Sequence, residues 1–389
     1  MSPLSAPARP RLRDPHLPEA GRSAPVLPAP RLEHLRRMTD DTGLIQHALG
    51  PVPNRKLGYT TDDNARALLV ALLAWQQGDL GARVLADTYL AFLAYAQEPD
   101  GSFHNLFAYD RRPLEEEPSE DCQGRALWAL AAAARAWGGT PAGTVAARLF
   151  DRGLDAFARP VQPRGQAQLI LAGATLLDPE GGPSLTDTPP ALPESVLQRV
   201  RSALILAATD LVLRYRHESG EGWHWFEPVM TYDCALLPAA LFWAYRVTGA
   251  GEYLQVARES LEFFAGATVR NGTFWPVGNR GWFPRGGQPA EFDQQPLEAA
   301  ALAVAAVAAQ RATGQKGWRE LGLIAGEWFL GRNALGVPLY DPRTGGCRDG
   351  LSPDGVNENQ GAESTLAFLL TRLILESERE RWAMEVRGA

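Results

Sequence analysis

The chain has 389 residues, 45% hydrophobic and 21% charged, with a formal net charge of −7. It has 38 Lys and Arg against 45 Asp and Glu, with no basic block, which argues against nucleic acid and anionic membranes as main partners. No apolar run approaches the ~18–20 residues that span a bilayer, and Cys122, Cys234 and Cys347 form neither a C-x-x-C metal pair nor a disulfide framework.

Residues 1–30 hold eight prolines and several arginines without helical or strand periodicity. They read as a disordered tail, and residues 31–389 as a single folded domain. The tail also lacks the apolar h-region of a signal peptide, so the expected location is cytoplasmic.

From Leu32 onward the apolar pattern is helical. Segments 65–75, 125–136, 235–245 and 297–309 are Ala- and Leu-rich and apolar nearly all round, as in helices buried on most faces. Between them lie amphipathic helices near 81–96, 142–158, 195–216, 251–266 and 317–331. Val-, Ile- and Thr-rich alternating runs are scarce, so little β structure is expected.

The buried helices begin alike, each with a polar cluster running into small apolar residues. The clusters are Thr61-Asp-Asp-Asn-Ala-Arg66, Glu120-Asp-Cys-Gln-Gly-Arg125, Arg164-Gly-Gln-Ala-Gln168, Tyr232-Asp-Cys234, Phe292-Asp-Gln-Gln295 and Asn359-Gln-Gly-Ala-Glu-Ser364. Such a unit is one helical hairpin, which cannot bury its apolar face alone. Six of them predict an all-α (α/α)6 barrel, a six-hairpin toroid, in preference to an open α-solenoid. Closure would bring the six polar starts to one rim. The Pro-rich stretch 176–195 breaks the rhythm and reads as a surface insertion.

The loops before those starts are aromatic and Gly-rich, as in Trp223-His-Trp-Phe-Glu-Pro228 and Gly272-Thr-Phe-Trp-Pro276. Sugar C–H faces stack on aromatic rings while sugar hydroxyls take directed hydrogen bonds. On that ground Trp223, Trp225 and Trp275 are candidate stacking platforms. Asp62, Asn64, Arg66, His104, Asp121, Arg125, Tyr232, Asp233, Asp293 and Gln294 are candidate polar contacts.

One acid per helix start is explained by capping and the helix dipole. The doubled acids Asp62 with Asp63, Glu120 with Asp121, Glu291 with Asp293 and Glu358 with Glu363 exceed that need. Glycoside cleavage uses two carboxyl groups, one protonated and one ionised. Asp63, near Arg66, is expected to stay ionised as a base or a hydroxyl-gripping group. Glu227, among aromatic residues, is the expected general acid with a raised pKa, and Glu363 is the second base candidate. The triplet Asp41-Thr-Gly43 lacks a paired β lobe, Asp62-Asp-Asn64 lacks a third metal-binding acid, and the six histidines lack ligand spacing. No phosphate loop or nucleophile elbow occurs, and nothing demands a cofactor or metal.

Three stretches, Met38-Thr-Asp-Asp-Thr-Gly-Leu-Ile-Gln-His47, Gly58-Tyr-Thr-Thr-Asp-Asp-Asn-Ala-Arg-Ala-Leu68 and Asn357-Glu-Asn-Gln-Gly-Ala-Glu-Ser-Thr365, resemble a bacterial family of six-hairpin glycosidase-like proteins. Its members are often encoded beside or fused to glycosyltransferases. The resemblance spans about 31–375 and implies an (α/α)6 toroid, a carbohydrate ligand and a functional link to a glycosyltransferase. Mannose-containing oligosaccharides are suggested by the gene neighbours. Thr60 stands where the family is expected to carry cysteine, which argues against a nucleophilic thiol there.

The reading that results is a glycoside hydrolase acting on an oligosaccharide, expected to invert by analogy with this architecture. A non-catalytic glycan-binding or glycosyltransferase-partner protein is one alternative. A sugar epimerase or lyase relying on His104, His224 and Tyr232 is the other.

Overall fold

The computed structural model describes residues 27–114, 117–182 and 192–387. Most of the tail expected over 1–30 lies outside the described residues. The fold nevertheless begins before residue 31: Leu27 packs on the core, and the Pro28 carbonyl accepts from Arg372 Nε at 2.6 Å.

Twelve α-helices occur among the described residues, with strands of only two or three residues. Even-numbered helices form the inner ring: α2 (Thr61–Gln76), α4 (Glu120–Ala136), α6 (Pro163–Leu177), α8 (Leu236–Thr248), α10 (Pro296–Thr313) and α12 (Ala362–Arg387). Each packs on the next, and α12 returns to α2, so the ring is closed. Closure settles the choice between toroid and solenoid in favour of the (α/α)6 barrel. The outer helices are α3 (Ala82–Ala96), α5 (Pro141–Ala156), α7 (Glu194–Glu218), α9 (Gly251–Thr268) and α11 (Gly317–Trp328), with the short α1 (Glu33–Met38) beside α12. The sixth hairpin thus joins the two ends of the fold, with buried His34 Nε2 2.8 Å from the Gln360 carbonyl.

Local chemistry sets the boundaries. Thr60, Ser119 and Thr140 cap α2, α4 and α5 through their hydroxyls, and Pro163 and Pro296 occupy first-turn positions. Gly249 and Gly314, at φ 72° and 70°, end α8 and α10 in the left-handed region. Alanine dominates the inner ring, and small side chains let helices surrounded by others approach closely. In α10, Ala299 to Ala309 are buried without exception.

Chains enter the inner helices through long connections such as 219–235, 269–295 and 329–361. They leave through short ones, 77–81, 137–140, 249–250 and 314–316. The exception is the connection after α6, whose residues 183–191 lie outside the described residues. Elaboration is therefore concentrated on the rim of the inner N-termini. Antiparallel pairs stitch that rim across hairpins: Tyr59–Thr60 with Leu106–Phe107, and Val229–Met230 with Phe283–Pro284. All three cysteines are free and buried. Among the described residues no helix is long and apolar enough to cross a membrane.

At the opposite rim, Arg311 of α10 binds Glu378 of α12 at 2.6 Å, with both side chains almost fully buried. Removing one member strands the other charge. Glu378→Leu should cost about 3–5 kcal/mol in urea unfolding, and the double variant Arg311→Met/Glu378→Leu should recover most of it. A single-variant cost below about 1 kcal/mol would show that the pair does not hold the ring.

Candidate active site

The inner helices run in parallel, so their starts meet on one rim, where five carboxylates face two guanidiniums. Arg125 of α4 is 7% exposed and lies at the centre. Its Nη1 reaches Asp62 Oδ1 at 3.2 Å, and its Nη2 lies 3.3 Å from Asp233 Oδ2 and 3.5 Å from Asp121 Oδ2. Tyr232 donates its hydroxyl to Asp121 at 2.9 Å. Arg66 of α2 places Nη1 3.1 Å from Asp63 Oδ1 and 3.0 Å from Glu363 Oε2. Two guanidiniums are thus shared among five carboxyl groups from α2, α4, α12 and the approach to α8.

Burial sets the protonation pattern. Asp63 is 3% exposed, and desolvation lifts its carboxyl to about 6 against the opposing pull of Arg66. Asp63 was expected to stay ionised on account of Arg66; burial, which the sequence does not show, raises its proton affinity against that pull. Burial also raises Asp233. Glu363 differs, with a side chain 40% exposed and ion-paired to Arg66.

A polar cavity of about 270 Å³ opens beside α2 and α12. Asp62, Asp63, Arg66 and Glu363 line it, as do Gln46, His47, Thr60, Asn105, Gln295, Asp349 and Ser364. Asp62, Asp63, Arg66 and Glu363 are thus brought together, with Asp121, Arg125, Tyr232 and Asp233 in the adjoining layer.

Other candidates are placed elsewhere. Glu227 does not line this cavity; Arg164 Nη1 binds its Oε2 at 2.5 Å. Arg164 also donates to the Tyr232 carbonyl and stacks over the Tyr232 ring at 4.8 Å, so Glu227 braces the loop through Arg164. Trp223 and Trp225 are buried, the first edge-on to Phe263 and Phe283, the second stacked on Phe264. Their faces fill the seam against α9 and present nothing to a sugar. Trp275 is half-buried beneath the Arg270 guanidinium.

Asn64 is buried, accepts from Leu44 N–H and donates to the Thr60 carbonyl, both at 2.8 Å. It fastens the 39–60 connection to α2. Gln294 is likewise buried and accepts from Trp328 Nε1 at 3.1 Å, so its neighbour Gln295 reaches the cavity instead. Asp293 pairs with Arg280 at 3.0 Å. His104 sits edge-on to Phe107, and exposed His224 sits edge-on to Phe263; neither lines the cavity.

The residues missed left uneven traces. His47 closes the first motif quoted for the family resemblance, and Thr60 is the position where cysteine was expected. Asp349 left no signal. It is raised by burial and accepts from Gly361 N–H at the start of α12 at 2.7 Å. Among the described residues no group of three or more His, Cys, Asp or Glu could hold a metal ion.

The sequence matches no protein-family model and no curated protein. Solved structures do match in fold. One is the cellobiose 2-epimerase from Bacillus thermoamylovorans, with TM-score 0.65 and 12% identity over 90% of this chain and 96% of that one. A D-mannose isomerase gives 0.62 and 12% over 90% and 96%. The GH76 α-mannanase of Bacteroides thetaiotaomicron gives 0.60 and 10% over 90% and 95%. At these identities the likeness shows the fold.

Because Asp63 rises from 3.8 to about 6 on folding, it supports the fold only while protonated. That contribution is complete below pH ~4 and is lost as pH climbs through 6. Asp63→Asn cannot ionise, so it should gain on wild type by about 3 kcal/mol between pH ~4 and ~7 in urea unfolding. A stability difference that stays flat across this range would refute the assignment.

Proposed function

We propose that this protein is a sugar-processing enzyme, and specifically a glycoside hydrolase acting on an oligosaccharide seated in the polar cavity. The observation that carries this reading is the pair Asp63 and Glu363. They come from neighbouring inner helices, line one cavity and share the Arg66 nitrogen. Environments that push two carboxyls apart in proton affinity mark an acid and its ionised partner. Asp63, lifted to about 6 by burial, is the acid. Glu363, half-exposed and ion-paired to Arg66, is its partner.

Two oxygens bound to one nitrogen at 3.1 and 3.0 Å lie at most about 6.1 Å apart. Inverting pairs sit about 6.5–9.5 Å apart to admit water, and retaining pairs about 5–5.5 Å. On that bound, which covers the two oxygens nearest Arg66, we take retention as the course to test in place of the inversion expected from architecture. In the first step a Glu363 oxygen bonds to the anomeric carbon as the glycosidic bond breaks, and the Asp63 proton passes to the leaving oxygen. Water then attacks the anomeric carbon, gives its proton to Asp63 and releases Glu363. Arg66 compensates Glu363 before the first step and Asp63 after it.

The sugar-named neighbours on this fold support a sugar as ligand. Neither His104 nor His224 lines the polar cavity, and a sugar epimerase on the same fold is the second reading. Mannose-containing oligosaccharides are the first substrates to try, and the glycosyltransferase link rests on the family resemblance.

Product mass and anomeric NMR on an oligosaccharide panel test this reading. Asp63→Asn and Glu363→Gln should each lower kcat by at least ~10²-fold with folding intact, and the product should keep its anomeric configuration. Glu227→Gln should lose stability but retain the chemistry. Full activity in Asp63→Asn would overturn the assignment, and saccharide binding without turnover in wild type would make the protein a glycan-binding one.

A further inference from the structure

Below the Arg66–Arg125 layer the barrel axis is hollow. A cavity of about 40 Å³ is lined by residues of all six inner helices, among them Leu69, Trp128, Gln168, Leu236, Val304 and Leu366. Its mouth is formed by Arg66, Arg125, Asp233 and Glu363, and Arg66 and Glu363 also line the polar cavity above. The two spaces therefore meet at Arg66 and Glu363, beside the proposed acid Asp63.

The walls are apolar apart from two side chains. Gln168 of α6 is 1% exposed, and neither its amide oxygen nor its amide nitrogen has a hydrogen-bond partner. The indole N–H of Trp128, on the adjacent α4, is also buried and unpaired. Gly124 accommodates this arrangement, because a Cβ there would stand 2.4 Å from the Gln168 amide oxygen. Unpaired buried amide atoms cost free energy that a leucine at this position would avoid. Their retention in a space large enough for more than one water points to an occupant.

We infer that this axial cavity receives the hydroxymethyl arm of the sugar held above it, with Gln168 as its specificity-determining contact. A hydroxyl both donates and accepts. It can give its proton to the Gln168 oxygen while accepting from the Gln168 amide or the Trp128 indole. The methylene that carries it suits the apolar walls. The volume admits a side arm and not a second ring. The inference rests on the proposed sugar-processing role and names its substrate class: hexopyranosides with a free 6-hydroxyl, selected over 6-deoxyhexosides and pentosides.

Calorimetric binding to the full chain tests this with methyl glycosides of mannose, glucose and galactose, each beside its 6-deoxy and pentose counterpart. At least one hexoside should bind wild type ~10-fold or more tightly than its 6-deoxy counterpart, as expected where a buried hydrogen bond is forfeited. Gln168→Leu should reduce that ratio to about 2-fold or less. It should also raise Tm, since an unsatisfied amide is removed. Equal binding of hexosides and 6-deoxyhexosides by wild type would overturn the arm pocket while leaving the polar cavity a sugar site. Absence of binding and of turnover across the whole panel would instead remove the functional reading on which it stands.

Discussion

Six parallel inner helices place six positive dipole ends on one rim and six negative ends on the other. Each end also carries unpaired backbone groups that must find partners. The ring supplies many of these from adjacent hairpins. Glu120 of α4 accepts from Val161 and Gln162 N–H at the start of α6, and Glu298 of α10 accepts from Asp233 and Cys234 N–H ahead of α8. On the far rim, Arg135 of α4 donates to carbonyls at the end of α6, and Arg246 of α8 donates to the Arg311 carbonyl of α10. Neighbouring hairpins are thus held together by acids that accept from N–H groups at one rim and by arginines that donate to carbonyls at the other.

This changes how the doubled acids are understood. Glu120 is consumed as a cap, while Glu291 and Glu358 pair with Arg270 and Arg348 at the surface. Asp293 is likewise taken by Arg280, and Asp62, Asp63, Asp121 and Glu363 converge on Arg66 and Arg125. Carboxylates drawn to helix starts by the dipole become costly once closure removes their water, and the cost appears as a raised proton affinity at Asp63. A buried carboxyl of raised proton affinity beside a partly exposed one thus follows from the architecture through the unequal burial of Asp63 and Glu363.

Helix placement was legible in the sequence because burial on most faces and amphipathicity leave periodic traces; α9 runs over Gly251–Thr268 where 251–266 was expected. Closure was legible from the count of six similar starts. Orientation within irregular connections was not. Tryptophans at 223 and 225 carry the same composition signal whether they face a cleft or a seam, and only the packing against Phe263 and Phe264 decides. Between Gln294 and Gln295 the difference is a single residue after an irregular turn, beyond what periodicity resolves. Asp349 is isolated in the chain and enters the cavity only because the long 329–361 connection folds back onto the start of α12.

Asp233 shows how a loop residue gains the precision of a helix. It adopts φ 51°, a left-handed conformation that aspartate tolerates better than most residues but that still costs about 1–3 kcal/mol. Its N–H is held at 2.5 Å by Glu298 Oε1, and its carboxylate is held by Arg125. Both partners lie within inner helices, α10 and α4, that touch it from two sides of the ring. The turn's conformation is therefore fixed by the spacing of the barrel and not by the loop's own sequence.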